Sequence, residues 1–429
     1  MAHDKKAAIE DLVNTAFSLS NGGANRNTYL WQEQSWTFSE VRRIASMPAD
    51  TSTIFADGHE PLWGIPVSVK DCFDLAGAPT TCGTRFYEAL HGSAAADSWL
   101  VEKLRAAGAV IIGKTHLHPL AYGITGENAE FGDCVQPGDP DNLTGGSSSG
   151  AAASVLEGSA MAAIGTDTGG SVRVPAALCG LAGYRASLGR GDWRGGAHLA
   201  QSFDTMGWLF ADLEDAPLLG SFFAPQSETT TAEQDSLPKR FAIVHDEFFS
   251  DCDPEVLEGL RLCRAELEFL GLRAETVNVP WWNDSCEIYS TIQAWEAARI
   301  HAGYYAEFGP AIQQRLEWGA SISDDEITRL RKRHTEFRER MDMLLADHEL
   351  LLMPAAPVAK LTVGADHSQT RARLLRYTTP VSLAGMPAIT IPFSKEHCKT
   401  GGMQLAAARE DDSRLLQLAA RMGSARKAQ

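Results

Sequence analysis

The chain has 429 residues, 44% hydrophobic and 22% charged, which is enough apolar material for a large core and far from disordered or low-complexity composition. Its 55 acidic against 38 basic residues give a net charge of −17, a field that repels nucleic acid and anionic membrane surfaces, so neither is an expected partner. No apolar run approaches the roughly 20 residues that span a bilayer, the N-terminus lacks a signal-peptide core, and the eight cysteines form no C-x-x-C pair; together these predict a cytoplasmic protein with reduced thiols.

Residues 64–70, Gly-Ile-Pro-Val-Ser-Val-Lys, predict a strand that ends on Lys70. Asp97 stands where it can cap a helix carrying Leu100, Leu104 and Ala107, which Gly108 ends before a strand at 109–112. After a Gly/Ser loop, 151–156 predict a helix and 160–164 a buried strand that runs at once into a Gly-rich turn. The polar stretch 225–239 is the best linker candidate.

Beyond that stretch, 241–244 predict a strand, and Val256, Leu260, Cys263, Leu267 and Leu270 recur at spacings that share one helix face. Ser323 with Glu326 forms a capping box for a long helix marked by Ile327, Leu330, His334, Phe337, Met341 and Leu344, with His334 expected to pack. Strands at 350–353 and 387–391 and a closing helix at 415–422 continue the alternation, which predicts an α/β fold.

Three motifs fail on context. Residues 108–115, Gly-Ala-Val-Ile-Ile-Gly-Lys-Thr, match the phosphate-loop pattern, yet a helix precedes Gly108 and the intervening residues are strand-forming, whereas wrapping a phosphate needs the strand first and a loop after it. Ser148 sits in a G-x-S-x-G at 146–150, but residues 137–144 read as a turn-rich loop rather than the strand a nucleophile elbow needs, and no later acid and histidine stand out. His116 and His118 are two ligand types without a third in a recognisable spacing, so no metal is expected.

The heptapeptide Gly165-Thr-Asp-Thr-Gly-Gly-Ser171 follows the buried strand, so Ser171 sits where successive backbone N–H groups can point into one concavity. A second Gly/Ser loop at 145–150 lies twenty-four residues earlier, counting from Ser147 to Ser171. A serine nucleophile needs a base, and a lysine held neutral by burial can serve; Lys70, ending an apolar strand, is the candidate.

At this point the residues closely resemble the amidase signature family, which includes aliphatic and aryl amidases, fatty acid amide hydrolase and the glutaminase component of tRNA-dependent amidotransferases. The resemblance runs through 62–71, 104–115, 145–150 and 165–180, then 202–207 and 383–392; it is dense over about 60–210 and thin elsewhere. It implies a single α/β/α domain over 1–429 around a large mixed sheet of about eleven strands, with a variable substrate-shaping part at about 225–380.

It further implies Ser171 as nucleophile, Ser147 as relay with a cis peptide, and Lys70 as base, with an oxyanion hole around Thr168, Gly169 and Gly170. Asp167, Arg173 and Ser148 would support the loops, and Tyr122, Gly123 and Thr125 would border the substrate pocket. The implied activity is hydrolysis of a small or medium carboxamide through an acyl-enzyme, without metal or organic cofactor, by a protein expected to form a homodimer. The alternative is a glutaminase subunit of a tRNA-dependent amidotransferase. Departures from the family pattern, such as Gly183-Tyr184-Arg185-Ala186 after the signature and Gln136-Pro137 before the serine loop, leave the triad intact and border the pocket.

Overall fold

The computed structural model describes residues 2–21, 26–46, 62–223, 237–395, 398–399 and 401–428, so most of the polar stretch at 225–239 lies outside the described residues. Among the described residues, eleven strands join in one mixed sheet: β1 (Tyr29–Trp31), β2 (Pro66–Lys70), β3 (Val110–Thr115), β4 (Ala162–Thr166), β5 (Ala182–Arg185), β6 (Met206–Phe210), β7 (Arg240–Val244), β8 (Arg273–Val277), β9 (Leu350–Pro354), β10 (Ala388–Ile391) and β11 (Met403–Ala407). Their order across the sheet is β1-β3-β2-β4-β6-β5-β10-β11-β9-β7-β8.

Two parallel blocks flank an antiparallel middle. β2 lies parallel between β3 and β4, and β7 lies parallel between β8 and β9. Parallel neighbours need a crossover, and the helices Trp99–Ala106, between β2 and β3, and Pro254–Phe269, between β7 and β8, supply it.

Successive residues along a strand point to opposite faces, and here both faces are covered. In β3, Ile111 joins the main core, while Val110 and Ile112 pack against Ile9, Val13, Val41 and Ile44 from the helices Ala2–Asn21 and Gln34–Ala45. In β4, Ala162 and Ile164 join the main core and Ala163 packs with Ala151, Ala152 and Val155 of the helix Ser149–Leu156. One sheet with helices on both faces makes a single α/β domain, as expected. No helix among the described residues is long and apolar enough to cross a membrane.

Local expectations fail where tertiary contacts compete. Asp97 does not cap the next helix: Ser98 does, accepting the Val101 N–H at 3.3 Å, while Asp97 accepts the Ala76 N–H at 2.8 Å and pairs with Arg105. Both residues are good caps, and the Arg105 guanidinium recruits the one with a charge. In the helix Asp324–His348 the buried position is Leu345 rather than Leu344, and Ser323 accepts the Glu326 N–H at 3.2 Å. Asp139–Leu143 is a short strand paired with Val135–Gln136 outside the main sheet, not a loop throughout.

Candidate active site

The chemistry gathers at the carboxyl ends of β2 and β4, where the sheet changes from parallel β2/β4 pairing to antiparallel β4/β6 pairing. Loops leaving adjacent parallel strands splay apart there and leave a crevice. β2 ends on Lys70 and β4 ends on Thr166, and the register pairs Val69, one residue before Lys70, with Ile164, two residues before Thr166. The two side chains meet, with Lys70 Nζ donating to Thr166 Oγ1 at 2.8 Å.

Lys70 is fully buried, and its other partners are Ser147 Oγ at 2.8 Å and Ser148 Oγ at 3.0 Å. Three hydroxyls surround the amine, and no carboxylate pairs with it among the described residues. Burial in this uncharged setting lowers its pKa from 10.5 to about 8, a shift that nearby Cys72, Asp167 and Asp204 oppose but do not cancel. Ser148 donates its own hydrogen to the Thr166 carbonyl at 3.3 Å, so toward Lys70 it is an acceptor. A hydroxyl both donates and accepts, so the Ser147 oxygen can also offer its proton to an uncharged amine.

Ser147 follows a cis Gly146–Ser147 peptide. The next residue ties this loop to the second one: Ser148 N–H donates to the Ser171 carbonyl at 3.2 Å. Ser171 opens into a cleft of about 260 Å³ lined also by Tyr122, Gly123, Gly169, Tyr289 and Arg371. The remaining lining, Ala121, Ile124, Gln293 and Leu375, adds no charge.

The loop carrying Ser171 is built around a buried carboxylate. Asp167 accepts the N–H groups of Gly170 (2.8 Å) and Val172 (3.1 Å), two contacts from Arg173 (2.9 and 3.1 Å), and Arg185 at 2.9 Å. Burial alone would raise the carboxyl pKa, but Arg173 and Arg185 overcome it and hold the group below the usual carboxylate range. Arg173 extends the brace to the Gln404 side chain at 2.7 Å, Ser382 at 2.8 Å and the Thr378 carbonyl at 3.1 Å.

Thr168 is fixed by Asp204, which accepts its hydroxyl at 2.7 Å. Glycine is required at 169 and 170 for separate reasons. A Cβ on Gly169 would stand 2.2 Å from the Tyr289 hydroxyl, and Gly170 has φ +117° with Thr378 packed against it.

Of the three expected oxyanion donors, Gly170 has its N–H committed to Asp167, whereas no partner takes the N–H of Thr168, Gly169 or Ser171 among the described residues. The N–H groups left open in this loop are therefore those of Thr168, Gly169 and Ser171. Tyr122 and Gly123 line the cleft; Thr125 does not, and its hydroxyl donates to Glu127 at 2.7 Å.

The rejected motifs have other occupations. Gly108–Thr115 delivers strand β3, and Lys114 is buried against Asp71 at 2.6 Å. His116 Nε2 meets the Gly132 carbonyl at 2.8 Å, and burial holds His118 well below its ordinary pKa. Four residues escaped the sequence reading: Thr166, Tyr289, Gln293 and Arg371. Thr166 is the second residue of the Gly165–Ser171 heptapeptide and could have been found from its place at the strand end. The others lie on helices more than a hundred residues downstream, without a motif to mark them.

The description "Amidase" belongs to the family model that matches residues 31–416. The A-type subunit of the glutamyl-tRNA(Gln) amidotransferase from Synechococcus sp. (strain CC9605) is 31% identical, over 89% of this chain and 87% of its own. A crystal structure of an amidase superposes with a TM-score of 0.84 and 26% identity over 99% of both chains. The corresponding amidotransferase subunit from Thermotoga maritima superposes at 0.74 with 28% identity, over 83% of this chain and 82% of its own. The matched span, the sheet and the sequence identity together place the chain in the amidase family, as a hydrolase acting on carbon–nitrogen bonds.

Proposed function

We propose that the protein is an amidase that hydrolyses a small or medium carboxamide through an acyl-enzyme on Ser171. The observation that carries this reading is the environment of Lys70: a fully buried amine, pKa lowered to about 8, 2.8 Å from Ser147. A lysine in that state is a proton acceptor near neutrality.

In this reading uncharged Lys70 takes the Ser147 proton as Ser147 takes that of Ser171, and Ser171 Oγ attacks the amide carbonyl. The tetrahedral oxyanion forms against the N–H groups of Thr168, Gly169 and Ser171, each such donor contributing about 3 kcal/mol. The relay runs backwards to protonate the leaving amine, the C–N bond breaks, and water deprotonated by the same relay cleaves the ester. Asp167 and Arg173 hold the donors in place and do not react. Seven cysteines among the described residues are buried or half-buried and form no disulfide, which fits the reducing cytoplasm.

A second reading, a glutaminase subunit of a tRNA-dependent amidotransferase, is favoured by the 31% identity to the Synechococcus protein over most of both chains. The test is ammonia release by the purified full chain from a panel of carboxamides that includes glutamine, with Ser171→Ala as control. Ser171-dependent hydrolysis by the chain alone is the expected result. Hydrolysis confined to glutamine and dependent on added partner proteins supports the second reading; none under any condition refutes both.

A further inference from the structure

The cleft beside Ser171 contains a cation whose side chain has no partner among the described residues. Arg371 lines it, its Nε is buried without a hydrogen-bond acceptor, and its guanidinium has no ion pair among the described residues. The cleft's own lining contains no carboxylate to neutralise it. The contrast with Arg173 is sharp, since that guanidinium is saturated by Asp167, Gln404, Ser382 and the Thr378 carbonyl.

The helix carrying Arg371 does not explain it either. Arg371 stands in the opening turn of Ser368–Ala384, where the helix dipole disfavours a cation, and that turn contains no acidic residue. Asp366, the acid just before the helix, is exposed and accepts the Ser368 N–H. A second guanidinium, Arg315, donates to the Tyr122 carbonyl at the edge of the same cleft. Burial and then Arg371 hold the Arg315 pKa down at about 10, against the opposing pull of Tyr122 and Glu127, so the two cations repel one another.

An unpaired, partly desolvated guanidinium is the group best suited to a planar carboxylate, which it grips through two parallel N–H contacts. An ammonium in the same cleft would face the Arg371 guanidinium and no carboxylate in the lining.

Resting on the amide-hydrolase reading above, we infer that the substrate is an amide carrying a carboxylate and no ammonium group, and that Arg371 is the residue that selects it. On a chain of net charge −17, Arg371 also supplies the local positive field that lets an anion approach.

The test separates binding from turnover. Full-length Ser171→Ala protein is titrated by calorimetry with malonamate, succinamate and glutaramate. Controls are the neutral amides in which an isopropyl group replaces each carboxylate, and glutamine, which adds an ammonium. At least one carboxylate amide is expected to bind about 100-fold more tightly than its neutral counterpart and than glutamine, and Arg371→Met in the same background is expected to bring that ratio close to one. Arg371→Lys should restore part of it, because the charge returns without the fork.

Equal binding of charged and neutral amides, preference for glutamine, no binding of any carboxylate amide, or a preference that survives Arg371→Met overturns the inference. The same panel with wild-type protein reads ammonia. Arg371-dependent binding without ammonia release sinks the hydrolase reading and leaves the anion site standing. Ammonia from neutral amides alone does the reverse.

Discussion

Two buried lysines sit on neighbouring strands, and their surroundings give them opposite uses. Lys70 ends β2 and Lys114 lies near the end of β3, where the register sets it opposite Val69. Both are fully buried. Lys114 meets Asp71 at 2.6 Å and donates to Thr80 and to the Pro79 carbonyl, so its charge is answered and it ties β3 to the loop after β2. Among the described residues Lys70 meets only hydroxyls, and burial favours its uncharged form. A few ångströms of backbone thus separate a strut from the proposed base, and the feature that distinguishes their surroundings is the presence or absence of a carboxylate.

Replacing each lysine separates the two roles. Lys70→Met is expected to lower kcat/KM by about 10³-fold, the scale of a lost general base, while the protein stays folded; near-wild-type turnover by that variant would remove Lys70 from the reaction. Lys114→Met should leave Asp71 as an unpaired buried charge and reduce stability by about 3–5 kcal/mol, read as a shift in the denaturant midpoint. Adding Asp71→Asn to it should return part of that loss. If the single change leaves the midpoint where it was, the strut description fails.

The pH dependence of stability sharpens the same contrast. With Lys70 at about 8 in the folded chain against an ordinary 10.5, the unfolded state binds more protons between those values. Unfolding free energy therefore rises with pH across that window, and below about pH 8 the penalty for charging the buried amine is felt in full. Lys70→Met should flatten this part of the profile, measured as unfolding midpoints from pH 7 to 10.5 relative to wild type; an unchanged slope would mean that another group carries it.

The smallest effect belongs far from either lysine. Ser323→Ala should cost about 1 kcal/mol through loss of the cap on Asp324–His348 and leave kcat/KM unaltered, a control for nonspecific damage.

The parts of the site that sequence reveals are those held in short local runs. Lys70 ends an apolar strand and Ser171 closes a Gly-rich loop, so residue type and spacing point to them; the second Gly/Ser loop offers Ser147, Ser148 and Ser149 alike, and the family resemblance is what singles out Ser147. The Gly-rich loop marked a nest of donors, but which N–H groups stay open depends on where the Asp167 carboxylate points, and it takes Gly170. Arg371 and Tyr289 are illegible because the Ser171 cleft they line is built from a loop more than a hundred residues earlier in sequence. Tyr289 belongs to the helix Ser285–Ile300, whose buried residues show no clean single face. Cap choice at Asp97 and Ser98 was likewise settled from outside, by Arg105 and the Ala76 N–H.

The central claim is that Ser171 is activated by an amine that loses its proton near pH 8. An alkyl fluorophosphonate reacts with an activated serine without requiring the substrate to be known, and peptide mass spectrometry locates the adduct. Labelling is expected on Ser171, at a rate that rises with pH through an apparent pKa of about 8 and that collapses in Lys70→Met. An adduct on Ser148 instead, or a Ser171 rate indifferent to both pH and Lys70, would contradict the account.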